Sequence, residues 1–392
     1  MENEIIERFQ HYFPGNNEGI RVFFAPGRVN LIGEHTDYNG GFVFPAALTI
    51  GTYMVAKSRD DGKFHLFSES FPDDPVSFSS EELHFQGDDP WGNYPKGVVQ
   101  ELLKLGVKVT GADVYYHGNI PNGAGLSSSA SIGMVTAFGL SRLAGEQPST
   151  KQLAKLTQRV ENNFIGVSTG IMDQFAVGFG KKDHALFLDC STLEYEKVPL
   201  ELGDYRLVIT NTNKRRGLAD SKYNERRSEC EQGLEQIREM KKDIQTLGEL
   251  SIDEFRKVKD NIGNDVVFRR VRHVVTENER VNLARKVLKK GDLAVFGELM
   301  KQSHESLRDD YEVTGHELDA LFEAQKAVKG CIGTRMTGAG FGGCTISIVK
   351  KDVISEFKEQ VQEVYEKETG LSPTFYTCEI GDGVKELEEA TV

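Results

Sequence analysis

The chain has 392 residues, 39% of them hydrophobic and 27% charged, with a formal net charge of -13 at pH 7. That length is enough for two cores, and the composition excludes a disordered chain. The acidic balance excludes a duplex nucleic-acid partner, and it confines any site for an anionic nucleotide to a local pocket working against the global field.

The first 65 or so residues read as short strands punctuated by glycine and proline: Val22 to Ala25, Val29 to Ile32, Phe42 to Phe44, Tyr53 to Lys57 and Phe64 to Phe67. In WGNYPKGVVQELLKLG, Val98, Val99, Leu102 and Leu103 fit one helical face that stops at Gly106. A strand at Asp113 to His117 comes next, then a helix with Ile132, Val135 and Phe138 on one side, halted by Gly145 and Pro148. The next helix starts near Ser149 with Leu153, Leu156, Val160 and Phe164 as its stripe. Strand patterns return at Ala185 to Leu188 and Arg206 to Thr212, and Ala219 to about Val313 reads as mostly charged helix. The end alternates a strand (Thr345 to Val349), a helix (Val353 to Tyr365) and a strand (Pro373 to Cys378). Strands and helices interleaved in this way predict a two-domain α+β protein, divided near residue 200 into 1–200 and 201–392, with the active site between the domains.

Cys190, Cys230, Cys331, Cys344 and Cys378 are scattered, odd in number and without a CxxC pair, so neither a disulfide framework nor a zinc site is expected. The opening MENEIIERFQ is acidic, and no apolar run approaches a membrane span. The expectation is a cytoplasmic protein with no membrane, nucleic-acid or obligate protein partner.

Three glycine-rich segments carry the chemistry. Ala25 to Gly41, APGRVNLIGEHTDYNGG, puts Arg28 and Asn30 on the face opposite Val29 and Leu31. Glu34, His35, Thr36 and Asp37 come next, between Gly33 and an Asn-Gly-Gly turn. Carboxylates accept from vicinal hydroxyls and imidazole donates or accepts, so this set suits a sugar ring; a polar surface hairpin is the plainer reading. Pro121 to Ser131, PNGAGLSSSAS, lies between a strand and a helix. Gly123 and Gly125 let the backbone curl towards a ligand, and the helix start offers unpaired N–H groups to an anion. The Walker A pattern does not fit, because Ala124 stands where its lysine belongs, and a serine-capped helix is the alternative. Thr337 to Cys344, TGAGFGGC, contains GxGxxG but runs into the strand CTISIV. That context disfavours a dinucleotide site and favours a tight turn approaching another backbone or a nucleotide.

In this order the three segments resemble the motifs of the small-molecule kinase superfamily that covers galactokinase, homoserine, mevalonate and phosphomevalonate kinases. GRVNLIGEHTDYNGG, WGNYPKG, ENNFIGVSTGIMDQF and SKYNERR are similar to galactokinase segments, and the resemblance runs from Arg21 to at least Cys344. It implies a ribosomal-S5-like amino-terminal domain, a ferredoxin-like carboxy-terminal domain, and transfer of the γ-phosphoryl group of ATP to the C1 hydroxyl of D-galactose with Mg²⁺. By the same resemblance, Glu34, His35, Thr36, Asp37, Gly170 and Tyr223 bind the sugar. Asp173 is the base beside the C1 hydroxyl, and Arg28 bridges that hydroxyl and the incoming phosphoryl group. Gly123, Ala124, Gly125, Leu126, Ser127, Ser128 and Ser129 wrap the phosphates. Ser129 and Glu161 hold Mg²⁺, and Ser68 and Trp91 lie near the adenosine. From the residues alone, Glu161 also reads as a solvated helix-edge acid and Asp173 as a capping or buried aspartate. Two competing readings stand beside the kinase: a relative acting on another sugar, and a non-catalytic sugar sensor on the same scaffold.

Overall fold

A computed structural model describes residues 2–89, 91–121, 125–214 and 219–387. Helix α1 (Glu2–Tyr12) was not expected from the sequence, although Ile5 and Phe9 sit one turn apart and are both buried. The two strands expected around Pro26 and Gly27 are one, β1 (Arg21–Asn30). The proline and glycine lie at a bulge, where the pairing shifts between Pro26 and Arg28, so they bend the strand without ending it. After it come β2 (Phe42–Val43), β3 (Pro45–Ser58), β4 (Lys63–Ser68), β5 (Val76–Ser79), α2 (Asn93–Leu105) and β6 (Ala112–Gly118). Gly106, at φ 91°, ends α2 where expected.

Helix α3 (Ser128–Leu143) precedes α4 (Thr150–Arg159), which opens with a Ser149–Gln152 capping box. The stripe through Val160 and Phe164 does not continue as α-helix; residues Val160–Ile165 form a π-helical turn. Its extra residue rotates the downstream side chains around the helix axis, a device found most often at functional sites. Next come α5 (Met172–Phe179), β7 (His184–Asp189), β8 (Tyr195–Pro199) and β9 (Tyr205–Asn211). Helices α6 (Ala219–Arg238), α7 (Ile252–Val258), α8 (Asp265–Leu288) and α9 (Leu293–Ser306) fill the charged stretch, and α10 (His316–Lys326) follows it. The chain closes with β10 (Cys331–Thr337), β11 (Cys344–Lys350), α11 (Ile354–Thr369), β12 (Thr374–Cys378) and β13 (Lys385–Leu387).

The larger sheet has the order β13-β1-β3-β6-β4-β5, antiparallel except for the β4–β6 pair. Helices α2 to α5 bury Val98, Leu102, Met134, Leu140, Leu156 and Phe175 against one face, and α1 covers Val22, Val55 and Tyr115 on the other. The second sheet, β10-β11-β9-β12, is wholly antiparallel. Alternation along β9 sends Val208 towards Leu321, Phe357 and Tyr365, and sends Leu207 and Ile209 into a core shared with Val29, Leu31 and Phe44. That shared core fixes the sheets to each other, so the α+β expectation holds. Strands β8 and β9, on either side of residue 200, belong to different sheets, and β13 returns to pair with β1. The turn after β1 faces a third cluster built from α6, α7 and α8 with Leu307, Tyr311 and Val313.

Candidate active site

Arg28 and Asp173 meet although most of the first domain separates them in sequence. Arg28 Nε and Nη2 donate to the two carboxylate oxygens of Asp173 at 2.8 and 2.9 Å, and Nη1 donates to the Gly125 carbonyl at 2.7 Å. The bulge in β1 brings this about: Gly27 packs where a Cβ would stand 2.9 Å from the Leu126 carbonyl, and the Arg28 backbone N–H donates to that carbonyl at 3.1 Å. Asp173 sits in the first turn of α5, its side chain 29% exposed while that of Arg28 is 6% exposed. The fork is rigid and bidentate, and its accessible side is the carboxylate.

On one side of this pair lies a cavity of about 120 Å³, lined by Glu34, His35, Asp37, Gly170 and Tyr223 together with Arg28 and Asp173. Glu34 is buried and accepts the Gly338 N–H at 2.7 Å; burial raises its pKa, against the pull of Arg335 and Arg28. Asp37 is raised to about 7 by its enclosed position and by the nearby charge of Asp173. Gly170 packs so closely that a Cβ there would lie 1.7 Å from Asp37 Oδ2.

Two of the expected sugar-binding residues have polar groups already engaged within the protein. Thr36 is fully buried outside the cavity wall, its hydroxyl spent on the Gly33 and Phe42 carbonyls at 2.9 and 2.6 Å, so it shapes the turn from behind. His35 lines the cavity, but both ring nitrogens are already engaged, Nδ1 with the Tyr38 hydroxyl at 2.8 Å and Nε2 with the Ala339 carbonyl at 3.1 Å. The geometry therefore offers its ring, rather than a free nitrogen, to a ligand.

On the other side of the 125–129 turn lies a second cavity, about 280 Å³, lined by Ser68, Trp91, Ser128 and Ser129 with Phe71, Tyr94, Tyr116 and Ile132. Ser68 and Trp91 are thus brought together. The Phe71 and Trp91 rings are parallel within 4°, and the indole N–H donates to the Asp74 carbonyl at 3.0 Å. Ser127 has a left-handed backbone (φ 61°) and makes no side-chain cap to α3. Its hydroxyl donates to Asp173 Oδ2 instead, which removes the serine-cap alternative and leaves the α3 N-terminus open to an anion. Gly123 and Ala124 lie outside the described residues.

Glu161 is not a solvated helix-edge acid. The π-helical turn carries it inward to 5% exposure, where Oε2 accepts from Thr169 at 2.8 Å and Gln174 at 3.0 Å while Oε1 is buried with no partner. Burial raises its pKa, and the Ser129 hydroxyl lies against it. A buried carboxylate oxygen left unpaired beside a hydroxyl is a fit for a hard cation that takes its remaining ligands from phosphate and water. Among the described residues no group of three or more His, Cys, Asp or Glu could enclose a metal by itself.

Sequence reasoning missed Thr169, Met172, Gly338 and Ala339 in the first cavity and Phe71, Tyr94 and Tyr116 in the second. The third glycine motif did carry a signal: its Gly340 packs where a Cβ would come within 2.3 Å of the Val313 carbonyl, the backbone approach expected of such a turn.

Residues 7–58 match the family model for the galactokinase galactose-binding signature, 93–181 that for the GHMP kinases N terminal domain, and 284–367 that for GHMP kinases C terminal. A galactokinase of Halalkalibacterium halodurans is 64% identical across 94% of this chain and 93% of its own length. One of Fusobacterium nucleatum is 52% identical across 99% of this chain and all of its own. The crystal structure of Lactococcus lactis galactokinase complexed with galactose matches with a TM-score of 0.94 at 47% identity, covering 98% of this chain and 99% of that one. Methanococcus jannaschii mevalonate kinase, at 19% identity and a TM-score of 0.65 over 94% of this chain and 100% of its own, shares the fold.

Proposed function

The chain belongs to the galactokinase family of GHMP kinases, and from that footing we propose that it transfers the γ-phosphoryl group of ATP to the C1 hydroxyl of D-galactose. The observation that carries this reading is the Arg28–Asp173 fork, which stands between a cavity walled by carboxylates and one walled by aromatic rings.

Galactose occupies the first cavity, where Glu34 and Asp37 accept its hydroxyls and Tyr223 covers the ring. The adenine takes the aromatic cavity beside Ser68 and Trp91, and the triphosphate runs past the open N-terminus of α3 along Gly125 to Ser129. Asp173 accepts the proton of the C1 hydroxyl as that oxygen bonds to the γ-phosphorus; the bond to the β-bridging oxygen breaks and ADP leaves. Arg28 holds the carboxylate in place and offsets negative charge between nucleophile and phosphoryl group. Ser129 and Glu161 are the residues that would hold Mg²⁺, which when bound supplies charge neutralisation on the phosphates. The five free cysteines suit a reducing cytoplasm, and among the described residues no helix is long and apolar enough to cross a membrane.

Galactose-dependent release of ADP from ATP, run beside N-acetylgalactosamine and arabinose, tests the reading. Turnover should be greatest with galactose. Much faster turnover of another sugar would overturn the substrate, and no sugar-dependent ADP release would overturn the kinase in favour of a sensor.

A further inference from the structure

His35 holds a left-handed backbone (φ 61°) in the middle of the sugar turn, a conformation that a side chain bearing a Cβ disfavours. The contacts that hold it there form a chain. Its Nε2 faces the Ala339 carbonyl at 3.1 Å and its Nδ1 the Tyr38 hydroxyl at 2.8 Å. The Tyr38 hydroxyl also lies 2.7 Å from that of Tyr311, which in turn lies 3.1 Å from Cys230 Sγ. Burial keeps every member in its neutral form: it pushes the imidazole down to about 3, the Cys230 thiol up to about 11, and both phenols well above their usual range.

Neutrality and one fixed end determine the sense of every link. A carbonyl only accepts, so Nε2 carries the single ring proton of His35. Nδ1 must then accept, so the Tyr38 O–H points at it. With that proton spent, the Tyr38 oxygen can only accept from Tyr311, and the Tyr311 oxygen from the Cys230 S–H. The chain ends at Ala339 and has no freedom to reverse while that bond is made.

Four segments distant in sequence are joined in this way. His35 and Tyr38 belong to the turn after β1, Ala339 to the turn between β10 and β11, Tyr311 to the segment after α9, and Cys230 to α6. Helix α6 also carries Tyr223 two turns earlier, with its ring 5.5 Å from that of His35 and 5.3 Å from that of Tyr38. His35, Ala339 and Tyr223 all line the first cavity. We propose that the one-way hydrogen-bond chain from Cys230 through Tyr311 and Tyr38 to His35 and Ala339 sets the shape of the sugar cavity, making Tyr38 and Tyr311 positioning residues for the sugar that never touch it. The proposal rests on the galactokinase reading for the identity of the sugar.

The test uses the full chain, with steady-state kinetics and ¹⁵N NMR of histidine-labelled protein. The unaltered enzyme should show His35 neutral and protonated at Nε2. Tyr38→Phe leaves Nδ1 buried without a donor; the galactose KM should rise roughly tenfold or more, with the ATP KM within about twofold of wild type and the Nδ1 resonance moving towards that of an unbonded ring nitrogen. Tyr311→Phe should shift the galactose KM in the same direction by less, and Cys230→Ser, which keeps a donor, should shift it less than Cys230→Val. A His35 found protonated at Nδ1 or charged overturns the chain. So does an unchanged galactose KM in Tyr38→Phe, or a rise in both KM values together, which marks a merely structural role. Absence of galactose-dependent ADP release from the unaltered enzyme would overturn the kinase reading and the positioning role with it, while the tautomer would still report on the chain.

Discussion

Gly170→Ala is the smallest change that reaches the sugar site without touching a charge. The added methyl carbon would stand 1.7 Å from Asp37 Oδ2 and 2.3 Å from Cγ, whereas real Cβ atoms essentially never come closer than 3.0 Å. The Asp37 carboxylate or the 169–171 backbone must therefore retreat by more than about 1 Å. Neither has much room: Asp37 is crowded by Asp173 and Glu34, and Gly170 immediately precedes the turn into α5. A displacement of that size in a group that positions substrate costs on the order of 10²-fold in rate. Coupled detection of ADP should show galactose kcat/KM falling about 10²-fold, with the ATP KM nearly unchanged because the aromatic cavity lies across the 125–129 turn. A thermal melt should show that the fold survives. Near-wild-type galactose kcat/KM in a folded Gly170→Ala protein would refute the placement of the sugar against Asp37.

Asp173→Asn should lower kcat by about 10²–10⁴-fold with ATP affinity retained, measured by turnover and nucleotide titration; turnover near wild type would remove the base. Glu161→Gln should raise the Mg²⁺ concentration needed for half-maximal rate, read from a magnesium titration at saturating substrates. Trp91→Ala should raise the ATP KM by about 3- to 10-fold and leave the galactose KM alone. Asp37 titrates near 7 when folded, so the folded state binds a proton that the unfolded chain has already lost. Its contribution to stability is complete below the ordinary aspartate pKa and disappears as pH rises through about 7, a loss of at most a few kcal/mol, part of it screened through the cavity. Asp37→Asn should accordingly raise Tm at pH 8 and change it little at pH 5; an equal gain at both pH values would contradict this.

Legibility in the sequence tracked the range of the forces involved. Glu34, His35 and Asp37 could be grouped from sequence because they are near neighbours, and Gly106 and Ser149 marked helix ends because capping is local. The interruption expected at Pro26 and Gly27 failed because a bulge accommodates both residues once β3 is alongside, which only the paired strand reveals. Strand β10 was not foreseen because CIGTRMT looks polar; its Thr334 is buried on a hydrogen bond to Gln325, and Arg335 is fully buried beside Glu34. Strand β13 is three residues long and exists through its pairing with β1. In the site, the residues alone read Glu161 as a solvated acid, and only the family resemblance singled it out, because its inward turn depends on a π-helical insertion that periodicity does not encode. Ser68 and Trp91 came from the family resemblance alone, since the pattern around them does not announce a shared cavity.

Two substrates must meet at Arg28 and Asp173 for the proposed transfer to occur. A crystal structure with galactose and a non-hydrolysable ATP analogue tests this most directly. It should show the sugar against Glu34, Asp37 and Gly170, the base beside Ser68 and Trp91, and the C1 hydroxyl within hydrogen-bonding distance of Asp173 and in line with the γ-phosphorus. Density for the sugar or the nucleotide elsewhere, or a C1 hydroxyl turned away from Asp173, would contradict it.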